Sequence, residues 1–206
     1  MIKPTSDIAF TPAVKLVQER FGSRKSYSKM EERGGFQTEI TSDLAGFISE
    51  RDSFYLGTAN AEGQPYIQHR GGPKGFLKVL DDHTLGFADF TGNKQYISVG
   101  NLSENDKAYI FLMDYAAHRR IKLWGTAEVT EDEAILEQLR DEGYPAKIER
   151  AILFHIKAWD INCPQHITQR YSKEDLEPFL EDFRKRIKEL TEENQKLKEE
   201  LKRRQK

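Results

Sequence analysis

The chain has 206 residues and a formal net charge of -2, and 32% of its residues are charged while 37% are hydrophobic. This length suits one or two domains, and the high charged fraction indicates that part of the chain is a solvated element rather than core. The small net charge gives no support to nucleic-acid binding. A single cysteine excludes an intrachain disulfide framework and a cysteine-based zinc site, and it suits a reducing cytosol. We therefore expect a cytoplasmic protein.

Membrane insertion is not expected either. No stretch approaches the roughly 18 apolar residues that a spanning helix needs, and the first ten residues lack the long apolar run of a signal peptide.

The first 40 residues indicate a helical arm. Thr11 is a suitable N-cap and proline suits the first helical position, so the sequence predicts a helix over Pro12–Phe21. The polar stretch 23–35 is predicted to be a loop or an arm on the surface. A second helix is predicted to begin at Thr41, where apolar residues follow at helical spacing.

Short segments rich in aromatic and β-branched residues follow from Ser53, separated by turn signals. Their number and spacing favour an antiparallel barrel over a parallel sheet, with a short helix at about 131–139. Several six-stranded barrels fit this pattern, so it identifies no ligand. The predicted strands are SFYLGTA, PYIQHR, GFLKVL, TLGFAD, KAYIFLMD, RIKLWGTAEV and AILFHIKAW.

A heptad repeat runs through residues 172–206. Asparagine at position a favours a two-stranded, in-register pair at a cost in stability, and isolated helices of this length are marginal in water. A coiled coil is therefore predicted, although a solvated single helix and antiparallel docking on the chain's own barrel are alternatives. Position a holds Leu180, Ile187, Asn194 and Leu201, and position d holds Leu176, Phe183, Leu190 and Leu197.

The stretch 65–101 carries the main candidate site. Its segment Gly92-Asn93-Lys94-Gln95 combines a glycine, which lets backbone come close to a ligand, with a cation and polar groups, as a phosphate site requires. Arg70 is a second candidate for an anion contact. An ordinary turn and an ordinary strand exit would also explain these two features.

Two other segments are candidates. Residues 159–171 are dense in groups that hydrogen-bond or stack, although a loop capping the barrel would look similar. Cys163 has no adjacent base in the sequence, so a small structural residue explains it better than a nucleophile. Arg119, Arg120 and Lys122 form a basic cluster that is either a solvated face or a stabiliser of a reduced flavin.

Several familiar sites are missing from the sequence. There is no G-x-G-x-x-G after a strand, no G-x-x-x-x-G-K-S/T, no H-E-x-x-H and no G-x-S-x-G. The five histidines do not fall at metal-ligand spacing. A dinucleotide fold, a phosphate loop of the triphosphatase kind, a zinc protease and a serine hydrolase are thus not supported.

Residues 68–102, 120–129 and 158–167 together resemble the pyridoxamine 5'-phosphate oxidase-related FMN-binding family. The resemblance covers about residues 41–171. It implies a mainly β fold with helices, in which an FMN-binding split β-barrel (41–171) follows the N-terminal arm (1–40). The coiled-coil helix (172–206), predicted from the heptad repeat, is an addition to the usual domain of the family. The resemblance also implies a homodimer with FMN at the subunit interface.

The resemblance assigns roles to individual residues as well. The strand at Arg70 is expected to lie along the flavin ring, and the segment 92–95 to hold the phosphate. The loop after the last strand is expected to approach the cofactor, either within the same subunit or from the partner subunit. The complete set of expected cofactor contacts is Arg70, Gly71, Asp89, Gly92, Asn93, Lys94, Gln95, Lys122, Trp124, Asn162, Gln165, His166 and Arg170, with no metal ligand.

The predicted function is an FMN-dependent oxidoreductase that takes a hydride from a nicotinamide or another small organic donor. His166 is the candidate proton donor, because imidazole groups exchange protons near neutral pH. The C-terminal part does not match the substrate motif of vitamin B6 oxidases, so the substrate is left open. The alternatives are a non-catalytic flavin-binding or redox-sensing module that uses its coil to dock a partner, and a split barrel that binds haem or another flavin-like cofactor instead of FMN.

Overall fold

The computed structural model describes residues 3–205, so the outermost residues of the predicted segments 1–40 and 172–206 lie outside the described part. The chain forms two compact units. The first contains the chain up to Asp114 together with His118–His166, and the second contains Tyr115–Ala117 and the chain from Ile167 onward.

The N-terminal arm consists of a 3-10 turn, Thr5–Ile8, and two helices, α1 (Pro12–Arg20) and α2 (Arg24–Glu31). As predicted, Thr11 caps α1, because its side chain accepts a hydrogen bond from the backbone N–H of Val14. The alternative of a loop at 23–35 is wrong over the length of α2, whereas none of the residues of α2 is buried, which is consistent with an arm on the surface.

Ion pairs explain why so polar a segment folds as a helix. The carboxylate of Glu31 pairs with Arg24 on α2 and lies 2.9 Å from the Lys15 ammonium on α1, which also lies 2.6 Å from Asp7. Burial alone would raise the pKa of Glu31, but the hydrogen bonds from Arg24 and Lys15 outweigh it and lower the pKa below its ordinary value of 4.5.

We expect Glu31→Gln to lower the free energy of unfolding at neutral pH. Because folding depresses the pKa of Glu31, its charge stabilises the fold above the ordinary value of 4.5, and this stabilisation is lost as the pH falls further. Urea denaturation on both sides of that pH measures the difference from wild type, with exposed Glu19→Gln as the control. If the difference in free energy of unfolding between wild type and Glu31→Gln did not shrink at acidic pH, the stabilising role of the Glu31 charge would be contradicted.

One antiparallel sheet of seven strands forms the rest of the first unit, in the order β2-β1-β5-β6-β7-β4-β3. The predicted antiparallel arrangement is confirmed. The segment GFLKVL is a strand only at Lys78–Val79, because Phe76 and Leu77 before it are buried in the core. The strands are β1 (Ser53–Ala59), β2 (Pro65–Gly71), β3 (Lys78–Val79), β4 (Thr84–Phe90), β5 (Lys107–Asp114), β6 (Arg119–Thr130) and β7 (Ile148–Ile161), and the helices are α3 (Ser42–Ser49), α4 (Ile97–Glu104) and α5 (Glu133–Leu139).

The two faces of this sheet differ. On β1, Phe54 and Leu56 are fully buried in the core, whereas Tyr55 between them points to the opposite, outer face. The edge strands β2 and β3 are each paired on one side only. The sheet is therefore open between β2 and β3, and side chains rather than backbone bonds connect β2 to β4.

The irregular pairing between β6 and β7 requires glycine at position 125. The register with β7 shifts between Trp124 and Gly125, and a Cβ atom on Gly125 would lie 2.2 Å from the carbonyl oxygen of His155. We expect Gly125→Ala to destabilise the fold by about 1–3 kcal/mol, as overpacking does. The matched control is Gly100→Ala in α4, where a Cβ meets open space, and it should stabilise by up to about 1 kcal/mol. Thermal unfolding compares the two, and an unchanged midpoint for Gly125→Ala would contradict this packing.

The second unit is dominated by α6 (Lys173–Arg204), which confirms the predicted C-terminal helix. Its start is fixed by a reciprocal cap that sequence analysis missed. The Ser172 hydroxyl accepts a hydrogen bond from the N–H of Asp175 at 3.1 Å, and the Asp175 carboxylate accepts one from the N–H of Ser172 at 2.8 Å. None of the helices within residues 3–205 has the length and apolar character needed to cross a membrane.

Candidate functional site

A cavity of about 300 Å³ lies between the edge strand β2, the end of β4 and the start of α4. It brings together six of the predicted site residues from segments about 20 positions apart. These are Arg70, Asp89, Gly92, Asn93, Lys94 and Gln95. The other lining residues are Tyr66, Gln68, Phe90, Tyr96, Ile97, Ser98, Val99 and Glu149.

Two polar contacts fix α4 against the sheet. The hydroxyl of Ser98 donates to the Gln68 side chain on β2 at 2.8 Å, and the side-chain amide of Asn101 donates to the Thr58 hydroxyl on β1 at 3.0 Å. Ser98, Asn101 and Thr58 are buried, so these bonds are shielded from water. They hold the first turn of α4 at the wall of the cavity.

The loop between β4 and α4 has an unusual backbone. Lys94 and Tyr96 adopt left-handed conformations, with φ of 60° and 54°, which residues other than glycine seldom do. Such conformations turn successive N–H groups toward one side and are common at ligand sites. Tyr96 is also the N-cap of α4, and its side chain accepts no bond from the helix. The partial positive charge of the helix start is thus available to an anion.

Beside this loop, buried charges connect β2 to β4 and β7. Asp89 pairs with Arg70 on β2, and its second oxygen lies 3.4 Å from Arg150 on β7. Arg150 also lies 3.1 Å from Glu149, and its guanidinium is 5.0 Å from the centre of the Tyr96 ring. The Nε atom of Arg70 is buried without a hydrogen-bond partner among the described residues. One donor of a residue that lines the cavity is therefore unpaired.

Lys122 and Trp124 are not at this cavity. They lie on the outer face of β6, where Lys122 pairs with Asp160 at 2.9 Å and Trp124 stacks on Phe36 with ring centres 5.1 Å apart. Gly71, at the end of β2, does not line the cavity either. Their contacts with a cofactor stay predictions.

The segment after β7 is attached to the end of β6. The backbone N–H of Asn162 donates to the carbonyl of Arg120 at 3.0 Å, while Gln165 and His166 are exposed. Arg170 belongs to the second unit, where its guanidinium lies 5.1 Å from the centre of the Tyr115 ring. The roles of these four predicted residues stay predictions.

Sequence reasoning missed several residues that line the cavity or lie beside it. Gln68 and Ser98 are bonded across 30 positions, and Arg150 reaches Asp89 across 61. Nothing in the local pattern marks these pairs. Only the strand order, which places β7 beside β4, could have indicated Arg150.

The outer face of β1, β2, β5 and β6 carries a second, apolar concavity of about 800 Å³. Aromatic and aliphatic side chains line it, among them Ile67, Tyr109 and Trp124. Burial raises the pKa of Tyr109 to about 12, with Arg120 opposing and Asp160 supporting that shift. Tyr66 lines both this concavity and the cavity at α4.

Within residues 3–205, no group of three or more His, Cys, Asp or Glu side chains is placed to hold a metal ion.

Comparison with known proteins identifies the family to which the chain is similar. A family model described as pyridoxamine 5'-phosphate oxidase matches residues 40–162. No curated protein sequence matches the chain.

Among solved structures, HupZ from Group A Streptococcus is 21% identical with a TM-score of 0.50, over 64% of this chain and 99% of that one. An FMN-binding protein from Syntrophomonas wolfei is 16% identical with a TM-score of 0.44, over 70% and 97%. HutZ, the heme storage protein from Vibrio cholerae, is 12% identical with a TM-score of 0.41, over 59% and 94%. Because the family model spans more than half of the chain, this protein belongs to the pyridoxamine 5'-phosphate oxidase family, and the predicted split barrel followed by a long C-terminal helix is confirmed.

Proposed function

We propose that this protein binds FMN, with the phosphate group in the cavity at the start of α4 and the flavin ring along β2. The loop 92–96 carries this proposal, because Lys94, two left-handed residues and a helix start without a side-chain cap adjoin one cavity. A phosphate monoester is bound by this combination of a cation and several backbone N–H donors. Family membership supports the proposal that this phosphate group belongs to a flavin cofactor.

Four residues that line the cavity have a stated role in this proposal. Lys94 makes charge-assisted bonds to the phosphate, and Gly92 lets the backbone approach it. Arg70 offers its free Nε–H to an acceptor of the cofactor, and Asp89 holds the guanidinium in place. When bound, FMN supplies the ability to accept a hydride, and the protein contributes position and electrostatics.

We also propose that a homodimer completes the site. The apolar concavity on the outer sheet face includes Ile67, which is 69% exposed, and exposed apolar patches mark association surfaces. Tyr66 lines this concavity as well as the phosphate cavity. A second copy that covers the concavity would thus reach the rim of the cofactor site.

The proposed activity is oxidoreduction of a small molecule, with a nicotinamide or another organic donor. The described lining of the cavity contains neither His nor Cys, so exposed His166 is the candidate for proton transfer. A cytosolic location is proposed with it, since the one cysteine, Cys163, is free and exposed.

A flavin-binding module without turnover is the second candidate, and reduction by NADH or NADPH separates the two. Fast bleaching of the bound flavin in the absence of oxygen would support the oxidoreductase. A flavin that stays oxidised with a panel of donors would support the module.

Haem is the competing cofactor, and the cavity disfavours it. Haem iron is held by His, Cys, Met or Tyr side chains, and the described lining offers only Tyr66 and Tyr96. The cationic loop fits a phosphate better than a flat iron macrocycle.

An absorbance spectrum of the purified full chain tests the proposal, followed by mass spectrometry of the compound that heat releases. We expect flavin bands and the mass of FMN. A haem spectrum would overturn the assignment, and so would a colourless protein that takes up no added FMN.

A further inference from the structure

The helix α6 exposes an apolar stripe along its length. None of its 32 residues is buried, and Leu180, Ile187, Leu190 and Leu201 are 40–63% exposed. In proteins, a helix with such a stripe gains most of its stability from the packing of its apolar face. Another apolar surface is therefore needed to cover it.

The spacing of the stripe identifies the kind of surface. Its residues alternate at steps of three and four, so they repeat every 3.5 positions rather than every 3.6. A strict seven-residue repeat keeps one seam facing a partner only when two helices wind around each other. The partner is therefore another helix with the same repeat.

Asn194 specifies which helix that is. It occupies position a between Leu190 and Leu197, in the middle of the stripe. In a parallel pair, each a residue faces the a residue of its partner, so two Asn194 side chains can hydrogen-bond to each other. In an antiparallel pair, position a faces position d, and Asn194 would be buried against an apolar residue at the cost of an unpaired amide.

The flanking charges agree with a parallel pair. Glu193 at position g would face Lys198 at position e of the partner, and the next pair along would bring Glu200 to Gln205. One heptad earlier, Arg186 would face Thr191. None of these three pairs brings like charges together.

We propose that α6 forms a parallel, in-register, two-stranded coiled coil with α6 of a second copy of this chain, in which Asn194 faces its counterpart. This contact goes beyond the proposed flavin function. It would persist if the barrel bound no FMN, because no residue of the cavity takes part in it.

Disulfide trapping in the full chain tests the arrangement. Cys163 is first replaced in Cys163→Ser, and Leu201→Cys then places a thiol at position a, while Glu199→Cys places one at the outward position f. In a glutathione redox buffer, we expect most of the Leu201→Cys chains to run as covalent dimers on a non-reducing gel. The Glu199→Cys chains should stay largely monomeric.

The control separates the coil from association elsewhere in the chain. Equal cross-linking of both variants would mean that the tails merely meet by proximity, and no cross-linking of Leu201→Cys would exclude parallel pairing in register. Either result overturns the proposal.

A second readout is the variant Asn194→Leu, which should raise the thermal stability of the helix and produce oligomers larger than the wild-type species in sedimentation experiments. A helix that melts earlier would contradict a buried Asn194.

Discussion

Lys94→Ala should weaken FMN binding by about 10- to 100-fold, because a hydrogen bond to a charged group contributes about 1.5–3 kcal/mol. Lys94 lies in the left-handed loop at the cavity, and it has no ion pair with another described residue that would hold it elsewhere. Removing the ammonium leaves the backbone donors of the loop in place, so binding should weaken rather than vanish. Fluorescence titration of the apoprotein with FMN measures the change.

Two controls make this prediction specific to the phosphate. Lys74→Ala removes an ammonium that is 60% exposed and 4.0 Å from Glu50, and it should leave the FMN affinity unchanged. Riboflavin, which lacks the phosphate, should bind Lys94→Ala and wild type equally well. If Lys94→Ala weakened both flavins alike, Lys94 would contact the ring or support the fold instead.

Asp89→Ala should lower the free energy of unfolding of the apoprotein by about 3 kcal/mol, since breaking a buried ion pair leaves an uncompensated charge. Asp89 is 7% exposed and is the shared partner of Arg70 and Arg150, whose side chains are 12% and 14% exposed. Arg150 keeps Glu149, but the described contacts give Arg70 no other carboxylate. Urea denaturation without ligand is the measurement, because bound FMN would add its own stabilisation.

Removing both partners distinguishes an unpaired charge from lost packing. The double variant Arg70→Met, Asp89→Leu replaces the pair with apolar groups and should be more stable than Asp89→Ala, as with other buried pairs. Asp52→Ala, at an exposed carboxylate, is the surface control. A cost for Asp89→Ala below about 1 kcal/mol would instead mean that water screens the pair as it does on a surface.

The sequence was most informative where local chemistry decides the structure. The Thr11 cap, the strand segments, the long C-terminal helix and the loop at 92–95 all follow from neighbouring residues. Their patterns have a period or a turn signal, so a single segment suffices to predict them.

Contacts between distant segments were beyond such reasoning. The polarity of residues 24–31 suggested a loop, but Glu31 gains its partners only when α2 lies beside α1. In the same way, Arg150 enters the cluster at Asp89 because β7 pairs with β4. The left-handed backbone at Lys94 and Tyr96, which supports the anion site most strongly, has no sequence signature either.

The relative affinity of the wild-type apoprotein for FMN and riboflavin tests the central claim most directly. If the loop 92–96 and Lys94 hold the phosphate, FMN should bind at least about tenfold more tightly, the lower end expected for one charged contact. Calorimetric titration of each flavin into the same preparation gives both constants. Equal affinity for the two flavins, or no binding of FMN, would contradict the assignment of this cavity as a phosphate site.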